Sequence, residues 1–262
     1  MFIHNIINDY TTIYYHNCPK LALRKEITMK LIINADDFGY TKGVTEGIIY
    51  GYKNGIIRST TVLTNMPYIA YGAELIEDLP DLGMGVHLTL TLGKSLTGAP
   101  SLTLNNGYFK NKKQFYETLD QIKPEEVYEE FKAQIEKFID IFHKKPDHLD
   151  SHHSVHDAKG MLPISEKLAK EYALPMRRYS DFTFVTGFYD QTATVEALIS
   201  LLASHKEENI EIMTHPGYCD LELYRSSSYH TARVKELDVL CDKQLIKFIE
   251  QHHIQLTNYG NR

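Results

Sequence analysis

Cysteine, long apolar runs and basic charge are all scarce in this sequence of 262 residues. The three cysteines (Cys18, Cys219 and Cys241) lie far apart and form no CxxC pair, which fits a reducing compartment better than a disulfide framework. No run of about 18 apolar residues occurs, so a membrane span is not expected. The formal net charge of −6 argues against a nucleic-acid partner, since phosphate binding needs a basic face. A cytoplasmic protein is therefore expected.

The N-terminus has no signal-peptide pattern, because its apolar residues are few and are interrupted by polar ones. Residues 1–28 show no clear periodicity, whereas Met29 opens a clean strand pattern. We predict that residues 1–28 are a leader outside the native domain; the alternative is a genuine extension that packs on it. Residues 29–262 are predicted to form a single domain, a length that α/β barrels often have.

Short apolar runs alternate with amphipathic stretches along residues 29–262. This alternation is typical of parallel βαβ units and predicts an α/β fold. Strands are expected near 31–35, 60–64, 83–89, 148–150, 175–178 and 210–213. Helices are expected near 43–53, 67–79, 124–142, 164–172, 195–203 and 234–251.

Two adjacent carboxylates, Asp36 and Asp37, follow the first apolar strand. Buried carboxylates are costly unless they are paired, and neighbouring side chains of a strand point in opposite directions. We therefore expect the two to have different partners, such as a metal ion for one and a reacting proton for the other. The alternative is that Asp37 caps the following helix.

A histidine-rich segment follows a later strand, with Asp150, His152, Ser154 and His156 on one side if the strand period continues and His153 on the other. Three histidines in five residues favour a divalent metal, although a solvated polar loop is the alternative. His87, inside an apolar strand, and His215, at a strand end, are each ordinary taken alone. One Asp and two His from three strand ends, however, make a metal set with open coordination positions.

At these segments the chain resembles the YdjC-like carbohydrate deacetylases, whose members include bacterial chitooligosaccharide deacetylases. The resemblance runs from about Met29 to the C-terminus in the same order and spacing. Its matching segments are Asn-Ala-Asp-Asp-Phe-Gly (34–39), Asn-Gly-Ile-Ile-Arg-Ser-Thr-Thr (54–61), Gly-Val-His-Leu-Thr-Leu-Thr-Leu-Gly-Lys (85–94), Lys-Pro-Asp-His-Leu-Asp-Ser-His-His-Ser-Val-His (145–156) and Met-Thr-His-Pro-Gly (213–217).

The resemblance implies an irregular (β/α) barrel with mostly parallel strands, one divalent metal ion and a homodimer. A set of one Asp and two His tolerates zinc, cobalt, manganese or magnesium, and Mg or Zn is expected. The resemblance implies that Asp37, His87 and His152 bind the metal. It further implies that Asp36 is the general base and that His215 is the general acid for the leaving amine. Some members carry His where this chain has Ser154, which puts a substrate contact there in doubt.

The expected reaction is hydrolysis of N-acetyl groups from amino-sugar oligosaccharides of the chitobiose type, phosphorylated or not, with release of acetate. Substrate contacts are predicted for His156, Arg177 and Tyr40; Arg177 could instead form a plain salt bridge, and Tyr40 could belong to the core. Two alternatives stay open: a metal-dependent hydrolase of a disaccharide phosphate, and a non-catalytic sugar-binding protein.

Overall fold

The computed structural model of the chain describes residues 29–205 and 208–261. The predicted leader, residues 1–28, lies outside the described residues. Within the described part, strands and helices alternate as the sequence pattern predicts.

Seven strands of the described residues form one sheet in which every paired strand is parallel to its neighbour. The strand order is β4-β3-β2-β1-β6-β5, with β7 paired to the start of β1. The strands are β1 (Lys30–Phe38), β2 (Ser59–Val62), β3 (Gly83–Leu88), β4 (Leu149–Ser151), β5 (Thr183–Val185), β6 (Ile210–Thr214) and β7 (Gln255–Leu256).

The sheet is curled because a short segment of chain connects its two edges. Met176 bridges to Leu149 beyond one edge, and Thr183 begins β5 at the other edge. Seven peptide links span at most about 25 Å, whereas six strands and the bridging segment would lie about 29 Å across in a flat sheet. The two edges must therefore approach each other. The predicted α/β fold with a barrel-like parallel sheet is confirmed, in the form of a half-barrel.

Nine α-helices of the described residues connect and cover the strands, and none of them is long and apolar enough to cross a membrane. They are α1 (Lys42–Asn54), α2 (Ile69–Leu75), α3 (Lys112–Glu117), α4 (Pro124–Phe142), α5 (Leu162–Tyr172), α6 (Val195–Ser204), α7 (Leu221–Ser226), α8 (Thr231–Leu240) and α9 (Lys243–Gln251).

Helix α4 shows how the sequence determines these elements. Pro124 occupies its first turn, where a missing N–H costs nothing, and acidic residues follow it at the positive end of the helix dipole. Its apolar face, Val127, Phe131, Ile135 and Phe138, is fully buried against the sheet. The predicted bounds of this helix, 124–142, are those observed.

Three predicted elements differ from the structure. The helix expected near 67–79 extends only from Ile69 to Leu75. The helix expected at 234–251 is divided, because the Asp242 side chain accepts hydrogen bonds from the backbone N–H groups of Gln244 and Leu245 and starts α9. The strand expected at 175–178 is reduced to isolated bridges at Met176.

Candidate active site

The chemically active side chains predicted from the sequence meet at one edge of the sheet. Asp36 and Asp37 lie near the end of β1, His87 lies near the end of β3, and His152 and His215 directly follow β4 and β6. Because all these strands are parallel, their carboxyl ends share one edge, where α/β proteins place their active sites. The five residues line one cavity of about 470 Å³, within the range of roughly 300–1,000 Å³ typical of small-molecule sites.

The end of β1 is irregular where the two carboxylates stand. Its pairing with β2 shifts register between Ala35 and Phe38, and Asp37 has a φ of 74°. A non-glycine residue is strained in this left-handed region, and such strain is commonly found at functional sites. The two carboxylates have different partners, as expected. Helix α1 is capped by Thr41, whose Oγ1 accepts from the Val44 N–H, so the alternative that Asp37 caps this helix is wrong.

Asp37, His87 and His152 bring three ligand atoms together and could hold a metal ion. His87 Nε2 lies 3.2 Å and His152 Nδ1 2.9 Å from the same Asp37 oxygen, Oδ1. Burial alone would raise the pKa of Asp37. The charges of His152 and Arg233, with hydrogen bonds from the two histidines, hold that pKa well below its usual range. Asp37 is therefore an anion that attracts positive charge.

His87 is held in the orientation that a metal ligand needs. Its Nδ1 lies 2.7 Å from Asp150 Oδ1, and Thr61 donates to the other oxygen of Asp150. A carboxylate behind the ring fixes the tautomer and leaves the opposite nitrogen to bind the metal. Burial opposes a charge on His87, but Asp150 and Asp37 outweigh it and raise its pKa to about 10. In the absence of a metal, a proton on His87 balances the charge of the surrounding carboxylates. A bound cation would supply the same positive charge. These residues therefore fit a divalent metal.

A second group of ligand atoms, from Asp36, His87 and Asp150, is fully buried. Arg177 already balances its charge, because Nη2 lies 2.8 Å from both Asp36 Oδ1 and Asp150 Oδ2. A guanidinium in this position leaves no need for a second cation. Asp37, His87 and His152 are therefore the better candidate metal centre.

Arg177 lies behind the cavity rather than in it. The residue is 3% exposed and is absent from the cavity lining. Besides Asp36 and Asp150 it contacts Glu211, with Nε 2.7 Å from Oε1. Three carboxylates contact the guanidinium of Arg177. Arg177, which the sequence predicts as a substrate contact, therefore holds Asp36 in position and does not face the cavity. Of the three predicted substrate contacts, only Tyr40 is among the residues that line the described cavity.

The histidine segment after β4 does not continue as a strand. His152–Asp157 forms a turn in which His153 (φ 56°) and Ser154 (φ 57°) are left-handed. The assignment of sides by strand period is therefore wrong beyond Ser151. His152, His153 and Ser154 all line the cavity, whereas His156 is buried away from it with Nδ1 against Ser151 Oγ.

His215 lines the cavity on the side of β6. Its backbone N–H donates to Glu236, which also accepts a hydrogen bond from the Tyr229 hydroxyl. Burial lowers the pKa of His215 to about 4 and raises that of Glu236 to about 7. The segment is fixed by close packing: a Cβ on Gly47 of α1 would lie 2.6 Å from Gly217 Cα. His215 is thus a positioned and largely uncharged imidazole at neutral pH.

Several residues of the site were not predicted from the sequence. Arg233 of α8 donates to Asp37 Oδ2 and is buried between the rings of Tyr40 and Tyr229. The sequence indicates Asp150 only as a neighbour of the histidines, whereas in the structure it is the partner of His87. Arg233 is separated from Asp37 by 196 residues, so no local pattern could have paired them.

Comparison with known proteins identifies the family to which this chain belongs. The family described as "YdjC-like protein" matches residues 30–251. Carbohydrate deacetylases of Vibrio cholerae (37% identical over 243 residues) and Geobacillus stearothermophilus (38% over 238 residues) are among the relatives. These alignments cover 88% and 87% of this chain and 96% of each relative.

Solved structures share the fold of this chain. An Enterococcus faecalis protein, whose name ascribes to it the cleavage of cellobiose phosphate, is 36% identical with a TM-score of 0.82. The match covers 89% of this chain and 98% of that one. A Streptococcus mutans CE4 esterase shares the fold at 12% identity, with a TM-score of 0.52 over 88% of this chain and 86% of its own.

Proposed function

The chain belongs to the YdjC-like family and is a carbohydrate deacetylase, a hydrolase, and we propose that it removes N-acetyl groups from amino-sugar oligosaccharides of the chitobiose type. The observation that carries the proposal is the convergence of His87 Nε2 and His152 Nδ1 on one oxygen of Asp37. Asp36 and His215 line the same cavity, so a base and an acid accompany the metal set.

Asp37, His87 and His152 would hold the divalent ion, which we propose to be Mg²⁺ or Zn²⁺. When bound, such an ion polarises a carbonyl and lowers the pKa of water, the chemistry that amide hydrolysis needs. Arg233 restricts how Asp37 can bind it, because Arg233 engages Oδ2 while the histidines face Oδ1. Asp150 fixes His87 from behind.

Asp36 is the proposed general base. Its Oδ1 accepts hydrogen bonds from Asn34 and from Arg177 Nη2, and Arg177 Nη1 donates to Oδ2. Within the described residues Oδ2 accepts this single hydrogen bond, so one of its lone pairs is available for a proton from the attacking water. The fixed guanidinium orients the carboxylate and so lowers the cost of reaching the reactive geometry.

His215 is the proposed general acid. The leaving nitrogen of an amide must be protonated, because an amide anion is a very poor leaving group. His215 is uncharged at neutral pH, since burial lowers its pKa to about 4. Negative charge that develops on the substrate during attack favours the protonated imidazole. We propose that the proton that Asp36 takes from the attacking water passes to His215 at this stage, and that His215 delivers it to the leaving nitrogen as the C–N bond breaks.

We test the function with protein stripped of metal and reloaded with defined divalent ions. The substrates are N,N′-diacetylchitobiose, its 6-phosphate, and cellobiose 6-phosphate, the last because the name of the Enterococcus relative concerns a cellobiose phosphate. Metal-dependent acetate release from either acetylated sugar, lost in Asp36→Asn while the metal is retained, is the expected result. Glucose released from cellobiose 6-phosphate without acetate from the other two would favour the disaccharide-phosphate alternative. Sugar binding with no product from any substrate would favour the non-catalytic one.

Three further features are proposed with this function. The three cysteines, of which Cys219 and Cys241 are free thiols in the structure, fit a cytoplasmic location. Residues 29–262 are proposed to form one domain, since the sheet is built from strands along that whole range. A homodimer is proposed from the family resemblance, and light scattering would test it.

A further inference from the structure

An aromatic wall closes one side of the cavity beside His215. The rings of Tyr189 and Tyr229 are stacked, with centroids 4.4 Å apart and planes at 13°. Both rings stand edge-to-face against His215, each with its centroid 5.6 Å from the imidazole. All three residues line the cavity.

Hydrogen bonds hold both residues of the wall in place. The Tyr229 hydroxyl donates to Glu236 and accepts a 2.8 Å hydrogen bond from the Asp190 backbone N–H. Tyr189 begins a tight turn in which its N–H donates to Thr192 Oγ1 and its carbonyl accepts from the Thr192 hydroxyl and N–H. The Tyr189 ring therefore extends from a restrained backbone and stacks on a ring whose hydroxyl is held. A ring restrained in this way loses little conformational entropy when a ligand binds to it.

Tyr189 is nevertheless 48% exposed. A single exposed tyrosine is ordinary on a protein surface. Tyr189, however, packs one face of its ring against Tyr229 and stands beside the proposed acid. The remaining apolar surface of its ring is open to the cavity. Tyr40, predicted from the sequence as a substrate contact, is only 6% exposed and its ring faces the Arg233 guanidinium. Tyr189 is therefore the aromatic residue better placed to receive a ligand.

We propose that Tyr189 is the stacking platform for the pyranose ring that carries the reacting acetamide. This inference rests on the proposed deacetylase function and extends it to the recognition of the sugar. A pyranose presents C–H groups with partial positive charge on its face, and the face of an aromatic ring is negative. His215 must come within about 3 Å of the leaving nitrogen, which is one bond from the pyranose ring. A sugar ring in that position lies within reach of a tyrosine 5.6 Å from His215.

The test compares Tyr189→Ala and Tyr189→Phe with Tyr50→Ala in the zinc-loaded protein. Tyr50 is a matched control, because it is 44% exposed and lies on α1 outside the cavity lining. We expect Tyr189→Ala to raise KM for N,N′-diacetylchitobiose about tenfold, with kcat changed much less. Tyr189→Phe keeps the ring and should behave as wild type, as should Tyr50→Ala. Equal KM values in the two alanine variants would overturn the inference.

A binding measurement separates this inference from the function on which it rests. Calorimetry with N,N′-diacetylchitobiose is performed on zinc-loaded Asp36→Asn and on the same variant carrying Tyr189→Ala. If wild type releases no acetate but Tyr189→Ala still weakens sugar binding about tenfold, the platform stands and the deacetylase proposal fails. If acetate is released and binding is unaffected by Tyr189→Ala, the platform fails alone. Absence of both acetate release and sugar binding would refute both.

Discussion

Arg177 donates two hydrogen bonds of 2.8 Å to Asp36, from Nη1 to Oδ2 and from Nη2 to Oδ1. The same guanidinium contacts Asp150 and Glu211, at 2.8 Å and 2.7 Å. One buried cation therefore links the proposed base to Asp150, the carboxylate that orients His87. A single buried charge network therefore supports both the proposed base and the proposed metal ligands.

The first prediction concerns this network. Arg177→Met keeps much of the side-chain volume but leaves three buried carboxylates without their cation. Removing one partner of a buried ion pair typically costs about 3–5 kcal/mol, because the remaining charge stays desolvated. We expect a loss of stability of this size in the free energy of unfolding measured with urea. Because Asp36 also loses the two hydrogen bonds from Arg177 that orient it, kcat should fall together with stability.

Arg178→Met is the matched control for Arg177→Met. Arg178 is the next residue and pairs with Asp157, but its side chain is 39% exposed. Surface pairs of this kind contribute about 0–1 kcal/mol, so the variant should stay close to wild type. If Arg177→Met and Arg178→Met had the same stability and kcat, Arg177 would not support Asp36.

The second prediction concerns the metal centre and uses two adjacent histidines. Nδ1 of His152 faces Asp37 Oδ1, whereas Nδ1 of His153 faces Thr91 Oγ1 at 2.9 Å. Changing a residue behind a ligand commonly costs about 10- to 100-fold in metal affinity, and loss of a ligand should cost more. We expect His152→Ala to weaken Zn²⁺ binding more than 100-fold by calorimetry, and His153→Ala to bind Zn²⁺ with nearly unchanged affinity.

Thermal unfolding provides a second readout of the same pair. An ion bound only by the folded state, at a free concentration 100 times its Kd, stabilises the protein by about 2.7 kcal/mol. Wild type and His153→Ala should therefore lose thermal stability on addition of EDTA, while His152→Ala should not respond. An EDTA response in His152→Ala equal to that of wild type would exclude His152 as a ligand.

Local pattern accounts for much of this fold and for the proposed ligand set. The strands that carry Asp36, Asp37 and His87 are apolar runs, and parallel strands bring their carboxyl ends together, so the meeting of these residues follows from the alternation of elements. The turn at His152–Asp157 could not be predicted from the strand pattern, because His153 and Ser154 adopt positive φ and end the alternation of sides.

The support of the site is less predictable than its ligands. The sequence predicts Arg177 as a substrate contact, because two consecutive arginines at a strand-like end do not reveal which way each side chain points. The curled sheet turns Arg177 inward onto Asp36, 141 residues away, and leaves Arg178 outward. Arg233 and Tyr229 come from a helix and loop that only the tertiary fold brings to Asp37 and His215.

The third prediction tests the proposed acid through the leaving group. His215→Ala should reduce kcat for N,N′-diacetylchitobiose by about 10²–10⁴, the usual contribution of a general acid. An acetyl ester such as 4-methylumbelliferyl acetate has a leaving group that departs without prior protonation, so its hydrolysis should fall far less. An equal loss for amide and ester would show that His215 positions substrate rather than protonating the amine.

The last prediction concerns Glu236, whose buried carboxyl has its pKa raised to about 7 from 4.5. A group with a raised folded pKa stabilises the protein fully below its unfolded pKa, and this contribution is lost as pH rises through the folded value. Between pH 4.5 and 7 Glu236 keeps in the folded state a proton that it loses in the unfolded state. The free energy of unfolding should therefore fall by about 3 kcal/mol over this interval. Glu236→Gln cannot titrate, so its stability relative to wild type should rise by that amount over this interval.

The quantity to measure is the difference in free energy of unfolding between Glu236→Gln and wild type, because His215 changes stability with pH in the direction opposite to Glu236. Its pKa is lowered to about 4 from 6.5, so its contribution to stability grows as pH rises from about 4 to 6.5 and partly masks Glu236 in either protein alone. Urea unfolding with EDTA present removes any pH-dependent metal binding, and Glu166→Gln on the exposed face of α5 is the control that should follow wild type. A difference between Glu236→Gln and wild type that stayed constant from pH 4.5 to 7.5 would mean that Glu236 does not titrate in this range.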